Sequence, residues 1–263
     1  MSPEQLLYQK KLKRHNLGIR AVRLSILFLI LAGWQLAAYA GLINAFIFSS
    51  PIRILRCAAD LGRDGSLQSH ITITVLEVLS SFLLVAGISL LAAVALWWNR
   101  TLCEILEPYL VILNSLPKSA MAPIFIVWLG NNMKTIIVTA ISVAVFGSIL
   151  NLFTDFASTD PDKLKLIRTL GGTRLHCLTK VVLPVNLPSI ISIMKVDIGL
   201  CLIGVVIGEF LSAKRGLGYL IIYGSQVFKM DWVMLSIILL CLIAGLLYLG
   251  ISLVEKRFLS RRH

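Results

Sequence analysis

Six ionisable side chains sit inside otherwise apolar stretches: Glu77, Glu107, Lys118, Lys195, Asp197 and Glu209. A charge in lipid is costly, so each calls for a partner, a water-filled path or a functional role. Lys195 and Asp197 are two residues apart on one helix and do not face each other. Lys195 lies near a span end, where its ammonium can snorkel to water, while Asp197 turns toward a neighbouring helix or the path. Glu209, near the outer end of its span, and Lys118, beside Pro117, are candidates to line a path, and Lys118 would attract an anion. Asn114 and Ser115 join them, because the Pro117 break frees backbone carbonyls at that point. Structural ion pairing is the competing account of these groups.

Other chemistries find no residues to carry them. The chain has no G-x-x-x-x-G-K-[ST] loop to cradle phosphates, no G-x-S-x-G, no H-E-x-x-H and no catalytic carboxylate pair. His15, His70, His176 and His263 fall in four separate segments. Cys57, Cys103, Cys177, Cys201 and Cys241 are scattered singly, without ligand spacing, and read as small apolar packing residues. No metal site and no cofactor are expected on this chain, and it is not expected to be an enzyme.

One polar segment stands out, "STDPDKLKLIRTLGGTRLHCLTKVVLPVNLP", within an insert at about 154–188. Asp160 followed by Pro161 is a strong helix start, and Asp162 suits the positive helix end. That helix should end near Leu170, where Gly171-Gly172 permits a left-handed residue. Thr173 can cap a second short helix, expected to stop near Leu183-Pro184. Leu164, Ile167 and Leu170 form an apolar stripe on the first helix, flanked by Lys163, Lys165 and Arg168. Such a knob with a basic rim suits a partner protein; packing on its own bundle or in the lipid interface is equally compatible.

These groups must be held by membrane-spanning helices. The composition is 57% hydrophobic and 14% charged, with mean hydropathy +0.87, whereas soluble domains average about 45–50% apolar and about 25% charged. Apolar runs at about 24–40, 71–97, 106–128, 135–153, 189–211 and 233–254 approach or exceed the ~20 residues needed to cross. The third is interrupted by Pro108, Pro117 and Pro123. Residues 51–61 read as an amphipathic surface helix. The first run follows a long basic leader and reads as a retained span, although Ala38-Tyr39-Ala40 has the form of a cleavage site. Trp34, Trp97, Trp98, Trp128 and Trp232 lie near span ends, as interface anchors do.

Six spans place both termini on one side. Sixteen Lys and Arg fall on that side, which includes the insert, against seven on the other; the bias makes it the cytoplasmic side. The net charge of +12 is thus a topology signal, and nucleic-acid binding is not expected. From these residues alone a transporter leads, with a channel and a membrane-embedded enzyme behind it.

The sequence also resembles permease subunits of binding-protein-dependent ABC importers. Their cytoplasmic motif, E-A-A-x3-G-x9-I-x-L-P, is matched at Gly171, at Val181 in place of isoleucine, and at Leu183-Pro184; the E-A-A triplet is replaced by Lys165, Leu166 and Ile167. "SLPKSAMAPIFIVWLG", "GVVIGEFLSAKRGLGYLI", "FSSPIRIL" and "GSLQSHITITVLEVLSSF" are similar to the nitrate, sulfonate and taurine branch, with Glu77 where many relatives carry a basic residue and Ser81 in place of a common glycine.

The resemblance implies an all-α integral membrane protein of type I ABC importer permease architecture, with a basic tail at 1–23 and the permease domain at 24–263. It implies a coupling helix gripping a cytoplasmic ABC ATPase through Leu164, Ile167, Arg168, Leu170, Gly171, Gly172, Arg174, Leu183 and Pro184. Two ATPase copies would hold the ATP and Mg, two permease copies would form the path, and an extracytoplasmic binding protein would deliver a small anionic or vitamin-precursor solute. The setting would be a bacterial cell membrane. An ion-gradient-driven secondary transporter or a channel is the alternative.

Overall fold

The computed structural model describes residues 3–259, and the side chains within that range except those of residues 3–17, 20, 24, 27, 258 and 259. All regular structure among the described residues is helical. The basic leader and the first apolar run form one continuous helix, α1 (Pro3–Tyr39), of which Ala21–Tyr39 is apolar enough to span a membrane. A short α2 (Ala45–Phe48) leads to α3 (Pro51–Arg63), capped by Ser50 with Pro51 in its first turn. The amphipathic helix expected at 51–61 is this α3. Its Arg53 is tied to Asp231 at 2.9 Å.

The centre of the molecule is built by α4 (Ser66–Trp98), α7 (Met133–Ala157) and α10 (Leu183–Ser212). Val78, Ile136, Ala140, Ile198, Leu202 and Val205 interlock there. In lipid, apolar burial alone does not drive helices together, so close approach matters. Gly204 and Gly208 supply it: a Cβ on Gly204 would stand 2.5 Å from Ala140 Cα, and one on Gly208 3.0 Å from Ile136 Cα.

Between α4 and α7 the proline-interrupted stretch forms two helices. The helices α5 (Arg100–Ser115) and α6 (Lys118–Leu129) meet at an angle of 96°. Pro108 and Pro123 lie inside these helices, and the break falls at Leu116-Pro117. A proline disfavours helical geometry in the residue before it, and Leu116 takes an extended conformation. Among the described residues, five helical stretches are long and apolar enough to cross a membrane, or six if this bent pair counts as one.

The insert holds α8 (Pro161–Thr169) and α9 (Arg174–Cys177). The second insert helix does not stop at Leu183-Pro184 as its sequence suggests. It passes through a π turn at Leu178–Val182 into α10, so the helical stretch Arg174–Ser212 is unbroken. The wider turn adapts the backbone ladder just ahead of Pro184, which has no N–H to give. A further helix, α11 (Leu217–Gln226), lies between the last two apolar runs, and α12 (Met230–Leu259) follows.

Candidate functional site

The α8–α9 corner is assembled from local rules. Asp160 accepts the Asp162 N–H at 2.9 Å and starts α8. At its end the Gly171 N–H bonds Arg168 O at 3.0 Å and the Gly172 N–H bonds Ile167 O at 2.8 Å, the paired bonds of a Schellman stop. Gly171 is left-handed, with φ of 79°. A Cβ on Gly172 would come within 2.5 Å of Ile167 Cγ2, so the first glycine is required by conformation and the second by space. Thr173 and His176 then form a capping box for α9, with the Thr173 N–H on His176 Nδ1 at 3.1 Å.

The corner is fastened to the bundle. Arg174 donates to Trp97 O at 3.0 Å and lies over the Trp97 and Trp98 rings at 5.5 and 5.6 Å, so the last turn of α4 is bonded to the start of α9. Asn186 ties α10 to Thr159 at 2.8 Å. Of the apolar stripe, Leu164 packs on the core around Phe156, Leu178 and Val182, and Ile167 sits against the glycine corner. The outward apolar residues are Leu166, 58% exposed, and Leu170, 75% exposed. Leu166 was not singled out in the sequence, although its i, i+4 spacing to Leu170 marks a shared face. Arg168 is exposed on α8, and Leu183 packs with Leu164 against the Phe156 core; Pro184 opens α10 beside it.

The polar groups expected along a path fall into three local arrangements. Lys118 donates to Leu113 O at 2.5 Å and Asn114 O at 2.8 Å, and stands 5.7 Å from the Phe146 ring centroid. Its ammonium thereby satisfies carbonyls freed where α5 ends. Asn114 packs on Gly147, and Ser115 returns its hydroxyl to Val111 O at 2.9 Å. Asp197 accepts Ser148 Oγ at 2.7 Å in the buried contact of α10 with α7. Lys195 pairs with Glu255 of α12 at 2.5 Å.

Glu209, 1% exposed, anchors a third arrangement. It accepts Thr74 Oγ1 at 2.6 Å and the Gly218 N–H at 2.5 Å, and Thr74 in turn accepts the Leu217 N–H at 2.8 Å. This carboxylate locks the turn between α10 and α11 onto α4. Gly216 and Gly218 make room for it: a Cβ on either would stand 2.3 or 2.7 Å from a Glu209 oxygen. Thr74 was missed in the sequence, where the Glu209…Gly216-Leu217-Gly218 spacing marks only the turn.

Comparison with known proteins supplies independent findings. Residues 86–262 match the family described as "Binding-protein-dependent transport system inner membrane component". A Haemophilus influenzae "Probable ABC transporter permease protein" is 30% identical over 239 residues, covering 90% of this chain and 96% of that one. The Escherichia coli taurine transport system permease protein is 24% identical over 259 residues, covering 95% and 94%. A formylaminopyrimidine transport permease protein of Halalkalibacterium halodurans is 26% identical over 201 residues, covering 76% and 80%. In fold, the chain is similar to an inward-facing structure of the MetNI methionine ABC transporter, with a TM-score of 0.60 and 18% identity over 74% of this chain and 95% of that one.

Proposed function

The chain belongs to the family of binding-protein-dependent transport system inner membrane components, and on that premise we propose how its parts divide the work of import. It is a multi-pass permease subunit of an ABC importer, a family whose ATPase is a separate subunit and whose members work with a substrate-binding protein. The family gives no support to an ion-gradient-driven transporter or channel.

The α8–α9 corner is the coupling element, and one observation carries this reading. A rigid glycine corner presents Leu166 and Leu170 outward while Arg174 bonds the same corner to the end of α4. A push on α8 therefore reaches a central helix through a short, stiff linkage. Leu166 and Leu170 make the ATPase contact with Lys163 and Arg168 at its rim. Leu164, Ile167, Gly171, Gly172, Arg174, Leu183 and Pro184 hold the surface in shape. Nucleotide-driven closure of two ATPase copies, which carry the ATP and Mg, would switch two identical permease copies between inward and outward states.

Residues 24–263 form the permease domain, with the leader 1–23, both termini and the 154–188 insert on the cytoplasmic side of a bacterial inner membrane. The α5–α6 break, with Asn114, Ser115 and Lys118, faces the path, and Asp197 and Glu209 keep its walls in register. The cargo is a small polar organic solute of the kind named for the taurine and formylaminopyrimidine relatives, delivered by an extracytoplasmic binding protein. The test is disulfide trapping in native membranes: Leu166→Cys and Leu170→Cys should each cross-link to a cysteine scanned along the ATPase surface, in a nucleotide-dependent way. Cross-linking from neither position would refute the assigned contact.

A further inference from the structure

A cavity of about 240 Å³ opens at the end of the bundle opposite the α8–α9 corner, between α4, the start of α7 and the end of α10. Its floor and rim carry opposite charges. Glu77 and Ser212 are in its lining, 2% and 3% exposed, and Glu77 Oε2 and Ser212 Oγ have no hydrogen-bond partner among the described residues. Lys214 and Arg215 stand exposed at the edge, with Asn131 and Asn132 beside them. Buried polar atoms are normally satisfied, so two unsatisfied oxygens lining one cavity point to something that enters it.

The surroundings of Glu77 say which charge that is. Glu77 stands one helical turn from Thr74, whose hydroxyl bonds Glu209, so the two carboxyls are near neighbours. Glu209 already accepts Thr74 and Gly218 and is committed as an acceptor. Two adjacent buried carboxyls cannot both remain charged without a positive partner. Other titratable side chains near the floor do not supply it: Lys214 and Arg215 are on the exposed rim, and His70 accepts the Gly216 N–H at 2.9 Å on the far side of the turn. A ligand with a positive end can supply that partner.

We propose that this cavity is a binding site for a small zwitterionic solute. Its protonated amine is accepted by Glu77 and Ser212, and its anionic end meets Lys214 and Arg215. A simple anion would meet Glu77, and a simple cation would have to pass the basic rim. The volume, about eight waters at ~30 Å³ each, limits the solute to a few non-hydrogen atoms. The inference rests on the importer reading and narrows its cargo by charge type.

The test is titration calorimetry on the detergent-purified complex of the full chain with its co-purifying ATPase. The probes are 2-aminoethanesulfonate, glycine and β-alanine as zwitterions, ethanesulfonate as the anion and propylamine as the cation, all at millimolar concentration. At least one zwitterion should bind more tightly than either singly charged probe. Glu77→Gln should weaken zwitterion binding by about tenfold or more. Lys214→Ser with Arg215→Ser changes only exposed side chains and should weaken zwitterions by several-fold while sparing propylamine. Binding of no zwitterion to a complex that still hydrolyses ATP, or equal binding by the Glu77→Gln protein, would overturn the site and leave the importer role standing. Absence of any ATPase from the preparation would remove both.

Discussion

Glu209 shows how a charge in a span can serve the fold. Its oxygens gather Thr74 from 135 residues away and the Gly218 N–H, so a single carboxylate fixes the α10–α11 turn. Gly216→Ala would drive a methyl into that carboxylate at a residue with φ of 121°. The expected loss is about 1–3 kcal/mol, seen as a lower unfolding temperature of the detergent-purified complex. Thr74→Val, which keeps the shape and removes the hydroxyl, should cost about 1–3 kcal/mol by leaving acceptor and N–H unpaired. An unchanged melting curve in both variants would rule out the clamp. The sequence marks Glu209 as unusual, since acids in apolar runs are rare, but its partner lies in a distant helix that no local spacing identifies. Lys118 is similar: its position by Pro117 is legible, whereas its use as a cap for the carbonyls of α5 depends on the 96° bend.

Among the elements, the α8–α9 corner is the most legible part of the chain because its rules are short-range. Asp160-Pro161, Gly171-Gly172 and Thr173 each act within a few residues, and each does what its chemistry dictates. The errors lie where tertiary context decides. Leu183-Pro184 reads as a helix stop, yet the π turn carries the helix past it. The stripe of Leu164 and Ile167 suits either a partner or the chain's own bundle in sequence; in the fold Leu164 packs on the bundle and Ile167 sits against the glycine corner. Replacing Gly171 with Val would force a β-branched residue into the left-handed region at about 1–2 kcal/mol, and Gly172→Val would add a clash with Ile167. The pair of substitutions should stop ATP-driven uptake while membrane insertion persists; uptake at the normal rate would show that the corner is dispensable. Arg174→Ala should retain the bound ATPase and reduce transport per ATP hydrolysed, because it cuts the linkage to Trp97 and Trp98 without touching Leu166 or Leu170. Arg174→Lys should rescue this only partly, since an ammonium cannot reproduce the planar stacking. A transport-to-hydrolysis ratio equal to the parent's in Arg174→Ala would mean that force does not travel through this contact.

At the scale of the whole molecule, apolar run length marks the helices long enough to cross, because lipid forces each crossing segment to satisfy its own backbone. Packing order was not accessible in this way. The central place of α4, α7 and α10 depends on close contacts at Gly204 and Gly208, and α11 is too short to register as a span. The Lys and Arg distribution predicts both termini on the ATPase side, so reporter tags at residues 1 and 263 should both be shielded from protease added to intact cells. The central claim is that the exposed α8 face grips an ATPase. It is tested most directly by purifying the tagged full chain from native membranes in mild detergent, beside its Leu166→Asp/Leu170→Asp variant, and quantifying co-purifying proteins by mass spectrometry. A P-loop ATPase in equal copy number with the parent chain is expected. The variant should lose that ATPase while still eluting as a folded membrane protein, as removal of two contact residues worth about 2 kcal/mol or more each would require. An ATPase retained at full copy number by the variant, or absent from the parent, would contradict it.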